Sequence, residues 1–500
     1  MSDKIEELRK VRIEKLKQLE KQGVEPYPVH AERTHTVGEA LEKFGQISDN
    51  PAPETSSRYG AGRQQITLTG RVRSIRTHGK LTFGNIEDGS GTIQFLLRED
   101  VLGEKTFKAF SELLDMGDFL QISGTLALSK TNEKTLEAKS YKLLAKSLRP
   151  VPQNYFGLKD LEVKLRKRYL DLLANKETRE LFQKKSVFWK TMREFLESKG
   201  FLEVELPVLE TIPGGAEAEP FVTHHNALNR DFYLRISLEL PLKKLLVGGF
   251  EKVFEIGRIF RNEGISTEHL QDYMQMEFYW AYADYVQLMD FCEEMYKKII
   301  KNVAGSLKTT YDKKEIDWSG QWPKVRYFDI FKEKTGLDLN AVTDEDLKKY
   351  AKAEHIKLAV NQGRGRVIDL IYKKKVRPSL IQPCFLINPP VEIEPLAKKD
   401  PMNPHEVQRM QIMAGGTELG KGFSEINYPL DQRERFETQM KLRAAGDKEA
   451  QMLDEDFLEA LEYGMPPAAG FGLSERLFAV IMDKSIRETT FFPLMGEQKK

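Results

Sequence analysis

Cysteine is nearly absent from this chain: its 500 residues include only Cys292 and Cys384. Two distant thiols exclude a disulfide scaffold and a cysteine-rich zinc site, and they fit a reducing compartment. The eight histidines show no spacing typical of metal ligands. His224 and His225 are adjacent, and neighbouring residues on a helix or a strand cannot face one ion.

Long apolar runs are also missing. No stretch approaches the roughly 18 residues that a membrane helix needs. The N-terminal segment Met1–Glu7 is charged and lacks the apolar core of a signal peptide. We therefore expect a cytoplasmic protein with no membrane partner. The net charge is only +1, because the chain has 77 Lys and Arg residues and 76 Asp and Glu residues. A nucleic acid would have to bind through local patches.

The first 60 residues are predicted to form a helix and a linker. Apolar residues recur at helical spacing between residues 4 and 21, and Gly23 ends the pattern. This helix either packs on the body of the protein or also contacts RNA. Two prolines and a pair of serines then indicate a loop over residues 45–64.

Residues 61–150 have the pattern of a small β-barrel. Short alternating runs such as Ile93–Leu97 are separated by turns at Asp88–Gly91 and Met116–Asp118. About five strands within roughly 85 residues, with glycines at the corners, predict a Greek-key barrel of the OB type. Such a barrel binds single-stranded nucleic acid by stacking bases on aromatic rings, or it serves only as a structural domain.

Residues 151–500 mix strands and helices without a βαβ repeat. This arrangement predicts an α+β domain on a mixed, mainly antiparallel sheet rather than a parallel one. Pro150 and Pro152 mark its boundary with the barrel. Apolar spacing predicts a helix over residues 175–200, and a strand over Phe201–Pro207 is expected to follow it.

The stretch Val253–Tyr282 indicates two strands around a charged loop. Alternation in the second strand separates a polar face from an apolar face that carries Phe278 and Trp280. A polar, carboxylate-bearing face usually borders a ligand, and the alternative is a solvated sheet face. The polar face carries Tyr273, Gln275, Glu277, Tyr279 and Ala281.

The loop between these strands suits a nucleoside triphosphate. Arg261 follows the first strand, Glu263 comes two residues later, and His269 follows a short loop. A guanidinium binds phosphate oxygens in a bidentate manner, and a carboxylate accepts a hydrogen bond from an adenine amino group or binds a metal.

Two glycine-rich segments follow towards the C-terminus. Gly470–Arg476 indicates a strand that enters an apolar helix, with Arg476 facing a cleft. Gly415–Asn427 contributes two acids, Glu418 and Glu425, and its glycines favour β-bulges.

In this order, the segments resemble the three signature motifs of class II aminoacyl-tRNA synthetases, most closely those of the lysine-specific members. Gly200–Pro207 is similar to motif 1, Phe260–Glu263 with His269 to motif 2, and Gly470–Arg476 to motif 3. The likeness covers nearly the whole chain. Its lysine-type features are the segments Ile212–Ala216, Pro220–Leu228, Leu234–Ile236, Val247–Glu251, Asn262–Ser266, Glu277–Tyr279 and Gly422–Asn427.

The resemblance implies an enzyme that attaches L-lysine to tRNA(Lys) with ATP through a lysyl-adenylate, releasing AMP and diphosphate. It also implies Mg²⁺ as cofactor and a homodimer formed through motif 1. Two alternatives stay open: a ligase of the same fold with another acceptor or a related amino acid, and a non-catalytic RNA-binding paralogue. The barrel argues against the first, and the presence of Arg261 and Arg476 argues against the second.

The resemblance also implies roles for particular residues. Arg261 and Arg476 are the implied catalytic residues, and Glu418 is the implied metal ligand, with Gln411 as a poorer second one. The implied ATP-binding residues are Arg261, Glu263, His269, Tyr273, Glu418 and Arg476. The implied lysine-binding residues are Gly215, Glu239, Glu277, Tyr279, Phe423 and Glu425, because a desolvated ammonium needs paired carboxylates. The implied anticodon-binding residues of the barrel are Phe83, Gln94 and Glu133.

The chain departs from the family pattern around this site. Gly470–Arg476 is one residue shorter than usual, Lys421 replaces a common asparagine, and Gln411 replaces an expected metal-binding glutamate. Because an amide is a poorer ligand for a hard cation than a carboxylate, we expect the enzyme to need more free Mg²⁺ than usual. Lys421 is expected to point to the substrate carboxylate, away from Glu277, and the alternative is that it points to solvent.

Overall fold

The computed structural model describes residues 2–48, 65–129, 131–151, 160–264, 269–358, 362–447 and 449–497. It separates into two compact units, residues 1–159 and 160–500. The division at residues 60 and 150 stays a prediction. The linker expected over residues 49–64 and the boundary residue Pro152 lie outside the described residues.

In its described residues, the first unit is a closed five-stranded barrel with four helices. Its strands are β1 (Ile66–His78), β2 (Leu81–Glu87), β3 (Thr92–Arg98), β4 (Phe119–Leu128) and β5 (Lys134–Ala145), and its described helices are α1 (Ser2–Lys21), α2 (Val37–Ser48), α3 (Glu99–Leu102) and α4 (Glu104–Leu113). The strand order β1-β2-β3-β5-β4 closes on itself, with β3 and β5 parallel. The predicted OB-type barrel is confirmed.

The first helix packs on this barrel. Leu19 lies in the same buried apolar cluster as the barrel residues Ile93, Phe95 and Leu97. Arg12 donates a hydrogen bond to the backbone oxygen of Ser147 at 2.9 Å. The packing interpretation of the helix therefore agrees with the structure. The loop predicted from residue 45 is wrong for its first four residues, because α2 extends to Ser48.

The second unit is built on an eight-stranded sheet. The strands of that sheet are β6 (Leu202–Glu203), β10 (Lys252–Phe260), β11 (Asp272–Ala281), β14 (Lys324–Arg326), β15 (Cys384–Ile387), β16 (Arg409–Ala414), β17 (Thr417–Ser424) and β18 (Ala468–Ser474). Their order is β14-β15-β16-β17-β18-β11-β10-β6. All neighbours pair antiparallel except β14 with β15 and β10 with β6. The predicted mixed, mainly antiparallel sheet is confirmed.

Two small sheets and eleven described helices complete this unit. The small sheets contain β7 (Leu209–Glu210), β8 (Val222–His225) and β9 (Arg230–Leu234), and β12 (Lys308–Tyr311) and β13 (Lys314–Asp317). The helices are α5 (Leu161–Arg166), α6 (Arg168–Ala174), α7 (Lys176–Ser198), α8 (Glu239–Val247), α9 (Tyr285–Ala304), α10 (Tyr327–Thr335), α11 (Asp344–Ala353), α12 (Arg364–Ile371), α13 (Pro429–Ala444), α14 (Glu455–Glu462) and α15 (Arg476–Ile481). Short π- or 3₁₀-helical turns cover Tyr372–Val376, Arg377–Ser379 and Val391–Ile393.

One face of the large sheet carries the core of the unit. Met276 and Phe278 of β11 are fully buried in one apolar cluster with Phe188 of α7 and Leu288 of α9. A second buried cluster, which includes Ala281, Phe423 and Phe457, covers part of the opposite face, and the rest of that face is available for a site. Among the helices in the described part of the chain, none is long and apolar enough to cross a membrane.

The strand predicted over Phe201–Pro207 is wrong in length, since only Leu202–Glu203 pairs with β10. Beyond it, the backbone N–H of Leu206 donates to the carboxylate of Glu255 at 3.1 Å. Pro207 has no N–H to offer. A side chain therefore replaces the backbone ladder after the first residues of this segment.

Candidate active site

A cleft of about 860 Å³ opens over the polar face of the large sheet. Its wall includes Tyr273, Gln275, Glu277 and Tyr279, which are alternate residues of β11. The strand thus presents polar groups to the cleft and apolar groups to the core, as the alternation predicts. Glu277 and Tyr279 on this face are buried, so the interpretation of a solvated sheet face does not apply.

Glu277 is a buried carboxylate with a full set of donors. Its Oε1 accepts from the hydroxyl of Ser237 at 2.7 Å, from the backbone N–H of Leu238 at 2.9 Å and from Nε2 of Gln275 at 2.7 Å. Its Oε2 accepts from the hydroxyl of Tyr279 at 3.1 Å. All four donors are neutral, so they satisfy the carboxylate oxygens with hydrogen bonds and add no positive charge.

Two further carboxylates, Glu239 and Glu425, lie on either side of one lysine. The ammonium of Lys243 is 2.5 Å from Oε1 of Glu239 and also contacts Glu425. Burial raises the pKa of Glu239 to about 7 and the pKa of Glu425 well above its ordinary value, and the charge of Lys243 opposes both shifts. Burial lowers the pKa of Lys243, and the two carboxylates more than offset it, so this pKa is raised.

Two glycines allow these groups to come together. Gly215 has φ +83°, and a Cβ there would lie 2.7 Å from Cβ of Glu239. A Cβ on Gly470 would lie 2.2 Å from the ring of Tyr279 and 2.4 Å from Oε1 of Glu425. The cleft wall includes Gly215, Glu239, Glu277, Tyr279, Phe423 and Gly470. Glu425 is buried directly behind Gly470.

Two arginines, Arg261 and Arg476, line the same cleft. The guanidinium of Arg261 lies 5.7 Å from the ring centre of Tyr273, and its Nε donates to the backbone oxygen of Ile236 at 3.3 Å. Glu263 and His269 also line the cleft. The segment Gly470–Arg476 is one residue shorter than the family pattern. Strand β18 nevertheless extends to Ser474, and Arg476 at the start of α15 lines the cleft. Ile265 and Ser266 of the loop lie outside the described residues.

A β-bulge brings Glu418 and Gln411 together, as the glycine-rich sequence predicts. Ile412 pairs with Gly420 and Met413 pairs with Glu418, so Leu419 is the extra residue. Nε2 of Gln411 donates to the carboxylate of Glu418. Oε1 of Gln411 is buried and has no hydrogen-bond partner among the described residues. A carboxylate and an unused amide oxygen are ligands that suit a hard divalent cation.

Lys421 lines the cleft, with its side chain 42% exposed. Its ammonium is 3.1 Å from Oε2 of Glu394, which also accepts from Arg409 at 3.0 Å. Burial raises the pKa of Glu394, but the charges of Lys421 and Arg409 hold it below its ordinary value. In the strand register Gly472 separates Lys421 from Glu277. Contact between Lys421 and a substrate carboxylate stays a prediction.

The barrel residues singled out in the sequence share one outer face. Phe83 is half-buried, whereas its neighbours Thr82 and Gly84 are buried. Nε2 of Gln94 on β3 donates to the carboxylate of Glu133 at 2.7 Å. Strands β2 and β3 pair so that Phe83 lies opposite Leu96, two residues from Gln94 on the same face. Phe83 is absent from the barrel core.

Sequence reasoning missed several members of the site. Lys243, Ser237 and Arg409 were not singled out, although each touches a carboxylate in or beside the cleft, and neither was Glu394, the carboxylate that Arg409 touches. One signal was available for Lys243, because it follows Glu239 by four residues and such pairs share a helix face. Glu394 is 27 residues from Lys421 in the chain, and no local pattern connects them.

Comparison with known families defines the class. Residues 160–496 match the model of the tRNA synthetases class II (D, K and N), and residues 66–144 match the model of an OB-fold nucleic acid binding domain. The chain therefore belongs to the class II tRNA synthetases of this D, K and N group.

The curated relatives are more specific. The chain is 45% identical over 495 residues to the lysine–tRNA ligase of Carboxydothermus hydrogenoformans, covering 98% of both chains. It is 43% identical over 497 residues to the lysine–tRNA ligase of Moorella thermoacetica and 42% identical over 498 residues to that of Oceanobacillus iheyensis, each covering 99% of both chains.

The crowding at Gly470 generates a prediction about stability. Gly470→Ala puts a methyl group against Tyr279 and Glu425, and such overpacking costs about 1–3 kcal/mol. Gly472→Ala on the same strand is the matched control, because its Cβ meets its nearest neighbour, Cγ of Glu277, at 3.3 Å. We expect thermal unfolding of the full chain to show a lower midpoint for Gly470→Ala than for Gly472→Ala. Equal midpoints would contradict the close packing described here.

Proposed function

We propose that the chain catalyses the ATP-dependent attachment of L-lysine to tRNA(Lys) through a lysyl-adenylate, with release of AMP and diphosphate. The observation that carries this proposal is the buried group of three carboxylates, Glu239, Glu277 and Glu425, in the same cleft region as Arg261 and Arg476. Carboxylates suit the two ammonium groups of lysine, and arginines suit its carboxylate and the phosphates of ATP. The relatives named lysine–tRNA ligase support it.

The first step joins the lysine carboxylate to ATP. A carboxylate oxygen attacks the α-phosphorus, a new P–O bond forms, and the bond to the leaving diphosphate breaks. The carboxylate is already ionised at neutral pH, since such groups titrate near ~3.5. No general base is required, so the chain contributes positioning and charge neutralisation. In this step Arg261 bridges the substrate carboxylate and the α-phosphate, and Arg476 binds the γ-phosphate.

The remaining ATP contacts come from the strand–loop–strand segment. Glu263 and His269 hold the nucleotide, and Tyr273 faces the adenine. In the second step, the 3′-terminal hydroxyl of tRNA attacks the activated carbonyl carbon, and AMP leaves. The reaction belongs in the cytoplasm, where its tRNA substrate is used.

Lysine specificity comes from Glu277 and Glu425 for the ε-ammonium, with Tyr279 as a neutral partner and Phe423 beside it. Glu239 and Gly215 receive the α-amino group. The alternatives of another acceptor and of a non-catalytic paralogue are not favoured, because both arginines line the cleft and the OB-type barrel is present.

A divalent cation, Mg²⁺, completes the nucleotide site. Glu418 and Gln411 would hold it, and it would neutralise phosphate charge. Within the described residues, no group of three or more His, Cys, Asp or Glu side chains could hold a metal ion. Water and the ATP phosphates would supply its remaining ligands.

The barrel binds the anticodon, with Phe83 stacking a base and Gln94 and Glu133 contacting base edges. A homodimer through Gly200–Pro207 stays a prediction. It is supported by the position of β6 as the last strand of the large sheet and by the exposure of Leu202.

The carboxylate subsite predicts the effect of removing one charge. Glu277→Gln and Glu425→Gln should each weaken kcat/KM for lysine by about 2–4 kcal/mol, because each leaves a buried ammonium with fewer charged partners. The KM for ATP should change little. Lysine-dependent ATP–pyrophosphate exchange measures both, and Glu434→Gln, at the exposed rim of the cleft, is the control. Near-native values for both variants would rule out this subsite.

The barrel face predicts a separation of the two reactions. Phe83→Ala should remove about 1–3 kcal/mol of base stacking and reduce tRNA charging, while lysine-dependent pyrophosphate exchange without tRNA is retained. Val101→Ala, an exposed apolar position on α3, is the control. Equal loss of both reactions would mean that Phe83 supports folding instead.

The pair Glu418 and Gln411 predicts a high Mg²⁺ requirement. Gln411→Glu should lower the Mg²⁺ concentration that gives half-maximal activity, because a carboxylate binds this cation better than an amide. Titration of activity against Mg²⁺ for the native chain, Gln411→Glu and Lys421→Asn measures this. An unchanged midpoint for Gln411→Glu would place residue 411 outside the metal site.

A further inference from the structure

Lys243 is a completely buried lysine that the proposed reaction does not use. It is 1% exposed, and its ammonium contacts Glu239 and Glu425. Lysine is almost never fully buried unless its charge is paired. The next residue, Lys244, is near the surface and pairs with the exposed Asp456. Of two adjacent lysines on α8, one thus points into the amino-acid subsite.

The surroundings of Lys243 are those of an ammonium-binding site. Its Nζ lies 5.3 Å from the ring centre of Phe423, 5.8 Å from that of Tyr279 and 6.0 Å from that of Phe457. Aromatic faces attract ammonium groups at such distances. Two of these rings belong to the residues proposed to surround the substrate ammonium. The subsite therefore already contains one ammonium from the protein itself.

The charges of the subsite then match a particular class of amino acid. The subsite holds three carboxyl groups and one ammonium, which contacts Glu239 and Glu425, so with all three carboxyls ionised two negative charges are uncompensated. An amino acid with two ammonium groups supplies the two missing positive charges, and its carboxylate pairs with Arg261. Oε1 of Glu425 is buried and has no hydrogen-bond partner among the residues described, which leaves it available to such a ligand.

We propose that Lys243 is a positioning residue for lysine specificity: its ammonium is a fixed counter-ion that favours the ionised forms of Glu239 and Glu425 and holds both in place for a substrate with two ammonium groups. This inference rests on the proposed function and adds a residue to it. Lys243 acts through the two carboxylates and needs no contact with the substrate.

The pH dependence follows from the groups that face these carboxylates. Glu277 and Tyr279 of β11, Glu394, and Lys421 of β17 surround them in addition to Lys243. Burial already raises the pKa values of Glu239 and Glu425, and Lys243 lowers them. Without Lys243 both pKa values rise further, so at neutral pH more of each carboxyl is protonated and uncharged. Raising the pH ionises them again and restores ammonium binding.

The test compares Lys243→Met with Lys244→Met on the same helix in the full-length chain. Pyrophosphate exchange gives KM for lysine, KM for ATP and kcat from about pH 7, near the raised pKa of Glu239, to about pH 9. We expect Lys243→Met to raise the lysine KM by about tenfold near neutral pH. Most of this rise should disappear at high pH, with the ATP KM unchanged. Lys243→Arg, which keeps the charge, should restore part of the affinity, and Lys244→Met should behave as the native chain.

Lys243→Gln keeps donors for both carboxylates and serves if the methionine variant does not fold. It should show the same pH-dependent rise in lysine KM. A native lysine KM with a native pH profile in a folded variant would overturn the proposal, because Lys243 would then be a packing residue. A lower lysine KM would also overturn it, because Lys243 would then compete with the substrate. Absence of lysine-dependent exchange in the native chain would instead overturn the proposed function.

Discussion

Three carboxylates buried side by side, Glu239, Glu277 and Glu425, impose the main constraint on the catalytic unit. An uncompensated buried charge costs several kcal/mol, and the chain meets this cost in two ways. Four neutral donors form hydrogen bonds with Glu277, whereas the ammonium of Lys243 pairs with the other two carboxylates. An apolar side chain entering this subsite would desolvate the carboxylates without supplying a charge. Discrimination in the proposed reaction therefore depends on desolvation more than on shape.

The antiparallel sheet is what makes this cluster possible. Alternation along β11 presents Glu277 and Tyr279 to the cleft and buries Met276 and Phe278 on the other side. Strand β18 lies between β11 and β17 and places Gly470 and Gly472 opposite them, so no side chain fills the floor of the cleft there. A single bulge then turns Glu418 towards the face that carries Gln411. The site is therefore shaped by the alternation along β11, the two glycines of β18 and the extra residue in β17.

The parts that the sequence predicts are those with a local period. Alternation in β11, the glycine corners of the barrel and the bulge in β17 are all visible in short windows. Contacts between residues that are far apart in the sequence are not visible in such windows. The N–H of Val204 still donates to the backbone oxygen of Phe254, but the N–H of Leu206 donates to the side chain of Glu255, which is 49 positions away in the chain. The salt bridge between Lys421 and Glu394 also joins residues that are far apart in the sequence. Lys243 is intermediate, since helical spacing joins it to Glu239, whereas its contact with Glu425 depends on the fold.

The distribution of charge in the cleft also orients the amino acid in the proposed reaction. The carboxylates Glu239 and Glu425 lie on α8 and just after β17. Arg261 and Arg476 lie in the loop after β10 and at the start of α15. A diammonium amino acid placed in this field turns its ammonium groups to the carboxylates, and its own carboxylate then faces Arg261. That carboxylate is the nucleophile and is already ionised, so the orientation that selects the amino acid also brings the reacting oxygen towards the phosphate-binding groups. Recognition and catalysis thus depend on one distribution of charge, because the enzyme contributes positioning and no proton transfer to the first step.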